Sequence, residues 1–412
     1  MNAIPLSSHV RNLPASSTLV VSAKAKALKA AGVDVVGFGT GEPDFDTPEH
    51  ICESLFAAVK AGKTRYAPSP GTPECREAIA RKLRDENAIP VEARDVVVTA
   101  GGKQAIYLAM QCLLEPGKGD EVLLVSPAWV SVPAIVEVCG GVARFVSGTI
   151  DSGWKISPEQ LDEAITERTK VVVINSPSNP CGTVYLPDEL KALAEVLIRH
   201  PHVTLMSDEI YEKMIYPELD PSVSHFSLGS MPELAQRTIT INGLSKAYAM
   251  TGWRIGYLAT PSGEGEFSAH AGKLHSQMLS SIPAFCMPTI MEALENGADE
   301  VERMRLSFAK RGAMMFDRLS AIEGVRCVKP LGAFYCFPEL SGCFGRRTPK
   351  GVVINDAIDF CTALLEEANV AVVPGTDFGP TAAACCRLSF AASEDEIEKG
   401  CQRLASFVSS LI

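Results

Sequence analysis

Short runs of aliphatic and β-branched residues alternate with helical stretches through the middle of the chain. The runs lie at residues 95–100, 121–125, 170–174, 203–207 and 238–241. Apolar runs this short are typical of strands that are buried on both faces, as parallel strands are. The alternation therefore predicts an α/β fold, in which a mostly parallel central sheet carries helices on both faces.

The pattern changes after residue 296. A long charged helical stretch, "ADEVERMRLSFAKRGAMMFDRL", is followed by short apolar runs such as "GAFYCFP" and "VAVVPG". This texture predicts a smaller α+β domain at 297–412, next to a large α/β domain at 47–296. The remaining residues, 1–46, do not fit the central alternation, and we expect them to pack with the small domain.

Composition excludes several classes of function. The 412 residues include 49 acidic and 38 basic ones, a net charge of −11, which argues against binding nucleic acid or an anionic membrane. No apolar stretch in the sequence is long enough to span a bilayer. The thirteen cysteines are scattered without a C-x-x-C pair, and the start lacks a signal-peptide pattern, so we expect reduced thiols and a cytoplasmic protein. The seven histidines lack H-x-x-x-H spacing, so no metal site is predicted.

The glycine-rich stretch "GFGTGEPDF" does not predict a dinucleotide site. Gly37, Gly39 and Gly41 follow an apolar run, but their spacing is not G-x-G-x-x-G. Pro43 also stands where the helix of such a motif would begin.

Polar residues follow several of the predicted strands, at the edge of the sheet where open α/β sheets bind ligands. Gly101 and Gly102 lie between a strand and a helix start, where free backbone amides suit a phosphate. Asp208 follows a buried strand, and Asn179 lies in the turn "NSPSNPCG". Taken alone, the two glycines are equally compatible with an ordinary turn, whereas Asp208 is better explained as a helix cap and Asn179 as part of an ordinary turn.

The stretch "NGLSKAYAMTGWRIGY" surrounds Lys246 with small residues and places Arg254 eight positions later. Gly243 and Ser245 leave room beside the lysine, and Gly252 allows the chain to turn back. A lysine that reacts with a carbonyl needs a partly desolvated amine near positive charge, because both lower its pKa. An exposed lysine and a surface arginine are the competing interpretation.

Together these residues match one cofactor, pyridoxal 5'-phosphate. Its aldehyde requires a lysine, its ring nitrogen a carboxylate, its phenolic oxygen hydrogen-bond donors, and its phosphate amides and a cation. The chain offers, in that order, Lys246, Asp208, Asn179 with Tyr211, and the Gly102 region with Arg254. The combination is far more specific than any of its parts.

The chain resembles the class I (fold type I) aminotransferases, most closely the bacterial aspartate aminotransferase branch. The resemblance extends over nearly the whole chain and is carried by these stretches: "GEPDFDTPEH", "KTRYAPSPGTPECREAIA", "VTAGGKQA", "SPAWVSVP", "NSPSNPCG", "SDEIYE", "GLSKAYAMTGWRIG" and "VVPGTDFG" with "CRLSF". It implies the fold of the type I pyridoxal-phosphate-dependent transferases.

The resemblance also implies roles in the cofactor site. Lys246 would hold the cofactor as a Schiff base and carry the proton, Asp208 would pair with the ring nitrogen, and Asn179 and Tyr211 would bind the phenolic oxygen. Other residues of the same site would be Trp129, stacked on the ring; Gly102, Lys103, Ser245 and Arg254, at the phosphate; and Tyr66, reaching the phosphate of a neighbouring subunit in a homodimer.

Substrate contacts follow from the same resemblance. Arg387 would bind the α-carboxylate with two parallel hydrogen bonds, helped by Gly41, while Lys103 and Thr18 would lie near a distal carboxylate. Trp129 and Asn179 would also contact substrate. The sequence departs from some branches at Gly243, where they carry a phosphate-binding hydroxyl, so Ser245 or backbone amides have to compensate.

The expected reaction moves an amino group between an amino acid, aspartate or glutamate, and a 2-oxo acid by ping-pong kinetics. Aromatic amino acids, alanine and prephenate are competing candidates for the substrate. Three further classes of protein stay compatible with the sequence: a related pyridoxal-phosphate lyase or synthase, a DNA-binding regulator built on an aminotransferase-like domain, and an α/β enzyme without this cofactor.

Overall fold

A seven-stranded sheet forms the centre of the molecule. The computed structural model describes residues 4, 7, 11, 13 and 17–412, except for the side chains of residues 17–19 and 22. The strands of all three sheets in the described residues are β1 (Val36–Gly37), β2 (Val96–Thr99), β3 (Glu121–Ser126), β4 (Val142–Ser147), β5 (Thr169–Asn175), β6 (Thr204–Asp208), β7 (Thr238–Gly243), β8 (Gly256–Ala259), β9 (Tyr335–Cys336), β10 (Val370–Ala371), β11 (Val373–Pro374) and β12 (Cys386–Ser389).

The strands of the central sheet follow the spatial order β2–β8–β7–β6–β5–β3–β4. Strand β8 runs antiparallel to both of its neighbours, β2 and β7, and the other pairs are parallel. The prediction of a mostly parallel central sheet is therefore confirmed.

Helices cover both faces of this sheet and surround the smaller sheets. They are α1 (Ser17–Ala30), α2 (Glu49–Lys60), α3 (Pro73–Asn87), α4 (Gly102–Leu113), α5 (Ser131–Val138), α6 (Pro158–Ala164), α7 (Pro187–Arg199), α8 (Pro232–Ala235), α9 (Glu266–Met278), α10 (Met287–Asn296), α11 (Ala298–Ser320), α12 (Ala357–Ala368) and α13 (Glu394–Ser410). Short 3₁₀ turns lie at Ala93–Asp95, Leu228–Ser230, Thr251–Trp253, Ser262–Gly265, Ala284–Cys286, Ser341–Cys343, Gly375–Phe378 and Pro380–Ala382. None of the helices in the described part of the chain combines the length and the apolar character that crossing a bilayer requires.

Alternate residues of the central strands enter different cores, which explains why the strands are apolar throughout. On β3, Val122 and Leu124 pack with α4 and α5, whereas Leu123 packs with α7 on the other face. On β5, Val171 packs in the same core as Val122 and Leu124, and Val172 packs in the same core as Leu123. Side chains of a strand point to opposite faces in turn, so a strand covered on both faces needs apolar residues at every position.

A tight contact at two glycines lies next to the lysine loop, which is the segment 244–255 between β7 and β8 that carries Lys246, and brings it close to the start of α4. Gly243 of β7 pairs with Gly256 of β8, and a Cβ on Gly243 would lie 2.7 Å from the Ile255 carbonyl oxygen. A Cβ on Gly256 would lie 2.8 Å from the Gly101 Cα. Only glycine fits at both positions, so the absence of a hydroxyl side chain at 243 has a steric cause.

The beginning of the chain pairs with a segment near its end. Strand β1 lies parallel to β10, with Val36 opposite Val370, while β11, β12 and β9 form a separate antiparallel sheet. The resulting contacts place the loop after β1 beside β12. The division of the chain at residues 46 and 296 stays a prediction.

Candidate active site

A cavity of about 480 Å³ opens at the carboxyl ends of β5 and β6 and beside the loop that follows β7. Its volume is within the usual range for small-molecule sites. Most of the site residues expected from the sequence line it, namely Gly41, Gly102, Lys103, Trp129, Asn179, Asp208, Tyr211, Ser245, Lys246, Arg254 and Arg387. Residues from seven different segments of the chain therefore meet in one place.

Lys246 projects into this cavity from the loop between β7 and β8. Its Nζ donates a hydrogen bond of 2.5 Å to the Gly41 carbonyl oxygen. Burial and the nearby Arg387 guanidinium lower the pKa of Lys246 to about 8, although Glu42 acts in the opposite direction. At pH 7 roughly a tenth of this amine is therefore unprotonated, far more than for an ordinary lysine, and the unprotonated form is the one that a nucleophile or a general base requires.

Asp208 is the last residue of β6, and its buried carboxyl faces the cavity. Burial raises the pKa of this carboxyl to about 7, and Glu209 adds to the increase, whereas the Ile210 N–H and Lys246 reduce it. The Ile210 N–H donates to Oδ1 over 3.3 Å. A turn, and not a helix, follows at residues 210–213, so the interpretation of Asp208 as a helix cap is wrong.

Tyr211 and Asn179 approach the cavity from neighbouring strand ends. The Tyr211 hydroxyl lies 2.9 Å from that of Tyr335, and burial raises the pKa of Tyr211 well above its ordinary value. The Asn179 N–H donates to Oδ1 of Asn175, and its side-chain oxygen accepts from Arg387. Tyr211 and Asn179 therefore present a hydroxyl and an amide to the same cavity.

Arg387, on β12, is a buried cation with unsatisfied donors. It is 2% exposed, and its guanidinium donates to Oδ1 of Asn179 at 3.0 Å and to the Gly39 carbonyl oxygen at 2.9 Å. Its Nε has no partner, and no carboxylate in residues 17–412 forms an ion pair with it. A buried charge without a counterion is costly, so this geometry indicates a pocket for an anionic ligand.

The start of α4 forms the anion-binding end of the cavity. The N–H groups of Gly102 and Lys103 belong to the first turn, where a helix leaves its amides without intrahelical acceptors. Arg254 lies over this turn, since a Cβ on Gly101 would be 2.9 Å from its Cζ. The Arg254 backbone has φ 57°, a left-handed conformation that is costly for this residue type and often found at functional sites. Ser245 is buried in the wall of the cavity, whereas Gly243 does not line it.

Lys103 and Trp129 meet at the rim of the cavity. The Lys103 Nζ lies 4.9 Å from the centroid of the Trp129 ring, a cation–π distance. Desolvation of the ammonium and the neighbouring Arg254 lower the pKa of Lys103, although the residue as a whole is exposed. This ammonium has no carboxylate partner among the described residues.

The structure does not place Tyr66 in the cavity. Tyr66 is 95% exposed on the surface of the chain and does not contribute to the lining. Thr18 belongs to α1, but its side chain lies outside the described residues.

Eight further residues line the cavity without having been expected from the sequence, and Glu42, Asn175 and Tyr335 are among them. Glu42 accepts a hydrogen bond from Thr251, which ties the segment after β1 to the lysine loop. Asn175 donates to the Asp208 carbonyl oxygen. Asn175 precedes a turn at a strand end, the same signal that singled out Asn179, whereas nothing in the local sequence marks Tyr335.

Comparison with known proteins identifies the family. The family model for "Aminotransferase class I and II" matches residues 33–404. The chain belongs to the class I and II aminotransferases. The prediction of a class I aminotransferase of fold type I is thereby confirmed, as is its likeness to the bacterial aspartate aminotransferases.

Relatives of this aminotransferase match over almost their full length. An aspartate aminotransferase of Geobacillus stearothermophilus is 43% identical over 407 residues, which is 98% of each chain. An aspartate/prephenate aminotransferase of Cereibacter sphaeroides is 41% identical and covers 98% of this chain and 99% of its own. The crystal structure of the aspartate aminotransferase from Rhizobium meliloti superimposes with a TM-score of 0.93 at 38% identity and full coverage of both chains. The aspartate aminotransferase of Thermus thermophilus with maleate gives a TM-score of 0.89 at 41% identity, covering 98% of this chain and all of its own.

Pyridoxal phosphate is the cofactor of this aminotransferase. The cavity of the chain fits it, because a lysine with a lowered pKa, a buried carboxyl and the amides of a helix N-terminus lie in one enclosure. The interpretation as an enzyme without this cofactor is wrong, and transamination is favoured over lyase chemistry.

Proposed function

We propose that this aminotransferase prefers the dicarboxylic substrates, with aspartate and glutamate as amino donors and oxaloacetate and 2-oxoglutarate as acceptors. The observation that carries this proposal is the presence of two cations without carboxylate partners, Arg387 and Lys103, in the same cavity. A substrate with two carboxylates supplies one partner to each. A neutral donor leaves the Lys103 ammonium unpaired in a partly desolvated site, which weakens binding.

The names of the relatives support the same substrate class. The Geobacillus and Cereibacter proteins are both aspartate aminotransferases by name, the second also naming prephenate, and the Thermus structure is described with maleate, a dicarboxylate. Prephenate also carries two carboxylates, so it is a further acceptor under the same proposal.

The proposed roles at the cofactor follow from the positions of the side chains. Asp208 would pair with the ring nitrogen, Asn179 and Tyr211 would bind the phenolic oxygen, and Trp129 would cover the ring. The first turn of α4 would hold the phosphate, with N–H groups from Gly102 and Lys103 and the guanidinium of Arg254. Ser245, buried in the cavity wall, takes the place of the hydroxyl that position 243 has no room for.

Lys246 is the proposed proton carrier. When bound, pyridoxal phosphate supplies an electron-accepting ring conjugated to the substrate Cα, and a carboxylate at Asp208 keeps that ring protonated. The unprotonated Nζ of Lys246, favoured by its lowered pKa, would take the substrate Cα proton as general base and, once protonated, would return it to the cofactor as general acid. Arg387 exchanges its present acceptors for the substrate α-carboxylate, whose second oxygen lies near the Gly41 N–H.

We also propose that the enzyme is a cytoplasmic homodimer. Tyr66 and the apolar side chains of Phe56, Val59 and Leu279 are exposed on the single chain, where a second copy can cover them. The loop of Tyr66 packs against α9, since Ser69 donates to the Gly272 carbonyl oxygen. In the proposed dimer, a second copy covers this surface, and Tyr66 reaches the phosphate end of its partner's cavity. All thirteen cysteines are free thiols, as a reducing compartment requires.

A comparison of donors tests the proposed substrate class. Lys103→Ser is expected to reduce kcat/KM for aspartate and glutamate by about 10–100-fold, the value of a hydrogen bond to a charged group, and to change alanine and phenylalanine much less. Lys118→Ser, in an exposed turn, is the matched control. Equal losses for all donors would assign Lys103 to the phosphate alone and remove the support for a dicarboxylic preference.

A further inference from the structure

The turn that carries Asp208 and Tyr211 into the cavity has a second set of side chains on its reverse side. Ser207 and Glu209 flank Asp208 in the chain, and because side chains alternate along a strand, they point away from the cavity. The Ser207 hydroxyl donates to Oε1 of Glu209 over 2.9 Å. Glu209 is 2% exposed, so its carboxylate is almost completely removed from water.

Glu209 belongs to a buried ionic cluster, which consists of Lys82, Asn87, Glu209, Glu212, His225 and Ser227. The second oxygen of Glu209 lies 2.7 Å from the Ser227 hydroxyl and 3.1 Å from Nε2 of His225. The same histidine nitrogen lies 3.7 Å from Glu212. The cluster therefore packs against the turn after β6 on the side that faces away from the cavity.

Lys82 of α3 supplies the second cation of the ionic cluster. Its ammonium is hydrogen bonded to Glu212 and donates to Oδ1 of Asn87 over 2.7 Å. Asn87 in turn donates to Glu212 over 2.6 Å. Glu209, Glu212 and His225 place ligand-type atoms within 4.8 Å of one another, but the Lys82 ammonium already occupies a position beside Glu212, and a site without metal stays the prediction.

The charges balance only when His225 is protonated. Two carboxylates then face two cations, as buried ion pairs require. Burial opposes this state, but the hydrogen bond to Glu209 and the charge of Glu212 raise the pKa of His225 above its ordinary value. Lys82, His225 and Lys213 together lower the pKa of Glu212 to about 2, against the effect of burial. Glu86 from α3 and the hydroxyls of Tyr248 and Tyr257 also face the cluster.

We propose that this ionic cluster positions the turn after β6 and sets the charge state of the Asp208 carboxyl, with Glu209 opposing its ionisation and His225 favouring it. The inference rests on the proposed role of Asp208 opposite the ring nitrogen. Glu209 is the chain neighbour of Asp208, and its negative charge adds to the increase of the Asp208 pKa. The proton on His225 compensates that charge and leaves Asp208 free to ionise. The members of the cluster are positioning residues, since they act through Asp208 and do not line the cavity.

The test is the pH dependence of the pyridoxal phosphate dissociation constant, measured from the cofactor's absorbance in dilution series of the holoenzyme. Binding is expected to tighten as Asp208 ionises, with a midpoint near its pKa of about 7. Glu209→Gln removes a negative charge and is expected to lower this midpoint by about one pH unit. His225→Gln removes a positive charge and is expected to raise it by about as much. The double variant is expected to return close to the wild-type midpoint, because the two changes cancel.

A purely structural role predicts a different result. Loss of packing would weaken binding at every pH without moving the midpoint in opposite directions, and the double variant would be worse than either single one. Glu121→Gln is the matched control, since Glu121 is 3% exposed and ion-paired at the opposite end of the sheet. It is expected to lower stability and leave the midpoint unchanged. Single-variant midpoints that do not move, or that move in the same direction, would overturn the proposal.

Three further variants keep the test decisive. If the buried substitutions do not give folded protein, Lys213→Gln and Glu86→Gln alter more exposed charges beside the cluster, and they are expected to give smaller shifts, upward and downward respectively. Absence of both shifts would again overturn the proposal.

Asp208→Asn separates this inference from the proposed role of Asp208. If Asp208→Asn leaves the pH profile unchanged, the role of Asp208 fails; if it abolishes the midpoint while the cluster variants leave it in place, only the cluster inference fails.

Discussion

Arg387 and Asn179 are 208 residues apart in the chain, and Nη1 of Arg387 donates to Oδ1 of Asn179 over 3.0 Å. This bond holds the guanidinium in the cavity, where its Nε has no partner. The side chain that is proposed to bind the substrate α-carboxylate is therefore oriented before any substrate arrives.

Arg387→Lys is expected to reduce kcat/KM for every donor by about 100-fold, because an ammonium cannot form two parallel hydrogen bonds with a carboxylate. Cofactor absorbance is expected to remain as in the wild type. Arg326→Lys, at an exposed ion pair, serves as the control. A loss restricted to dicarboxylic donors would instead place Arg387 at the distal carboxylate.

Lys246→Ala is expected to leave the fold intact and abolish transamination, because no other amine in the described part of the cavity lies where it can both hold the cofactor and move the proton. Circular dichroism and a steady-state assay check the two statements. Substantial turnover by the variant would show that the assignment of Lys246 is wrong.

The pKa of Lys246 gives a separate prediction for the cofactor-free chain. Only the unprotonated amine reacts in reductive methylation, so labelling of Lys246, followed by mass spectrometry, is expected to rise with pH through a midpoint near 8, whereas an ordinary lysine titrates near 10.5. Burial and Arg387 are the main causes of this lowering. Arg387→Ala is therefore expected to move the midpoint upward, and an unchanged midpoint would contradict the electrostatic part of the explanation.

Asp208→Ala is expected to bind some cofactor but to lose most of the activity, by about 100-fold or more, as when a group that stabilises developing charge is removed. The physical reason is that the ring nitrogen would no longer be held in its protonated form. Rates near those of the wild type would refute the role of Asp208.

Tyr66 is expected to act across a dimer interface. Tyr66→Phe subunits mixed with Lys246→Ala subunits would form hybrid dimers in which one site carries both substitutions and the other carries neither. In an equal random mixture half of the dimers are hybrids, so about a quarter of all sites would be intact. Sedimentation and activity of the mixture measure this. A fully active monomer would exclude the shared site.

Much of the architecture was predictable because it depends on local patterns. Apolar runs such as residues 170–174 predict strands, and parallel strands carry their carboxyl ends to one edge, so Asn179 and Asp208 had to meet. The boundaries differ slightly, since β6 includes Asp208, whose backbone continues the ladder with Asn175 and Ile241.

Other parts of the site could not be predicted from the sequence, because they depend on contacts between distant segments. Tyr335 reaches Tyr211 from a different sheet, and Lys82 reaches Glu212 from a helix 130 residues earlier in the chain. The contact between Gly243 and Gly256 explains the missing hydroxyl only after their pairing is known. Such contacts leave no periodic signal in the local sequence.

The pairing of β1 with β10 determines when the cavity can be completed during synthesis. Val36 is synthesised early but pairs with Val370. At a synthesis rate of about 5–20 residues per second, Val370 is added on the order of tens of seconds after Val36. The segment behind it carries Gly39 and Gly41, whose carbonyl oxygens bind Arg387 and Lys246. The nascent chain can therefore form its central sheet before its catalytic cavity is complete. The segment from β1 to Gly41 is among the last parts of the chain to fold.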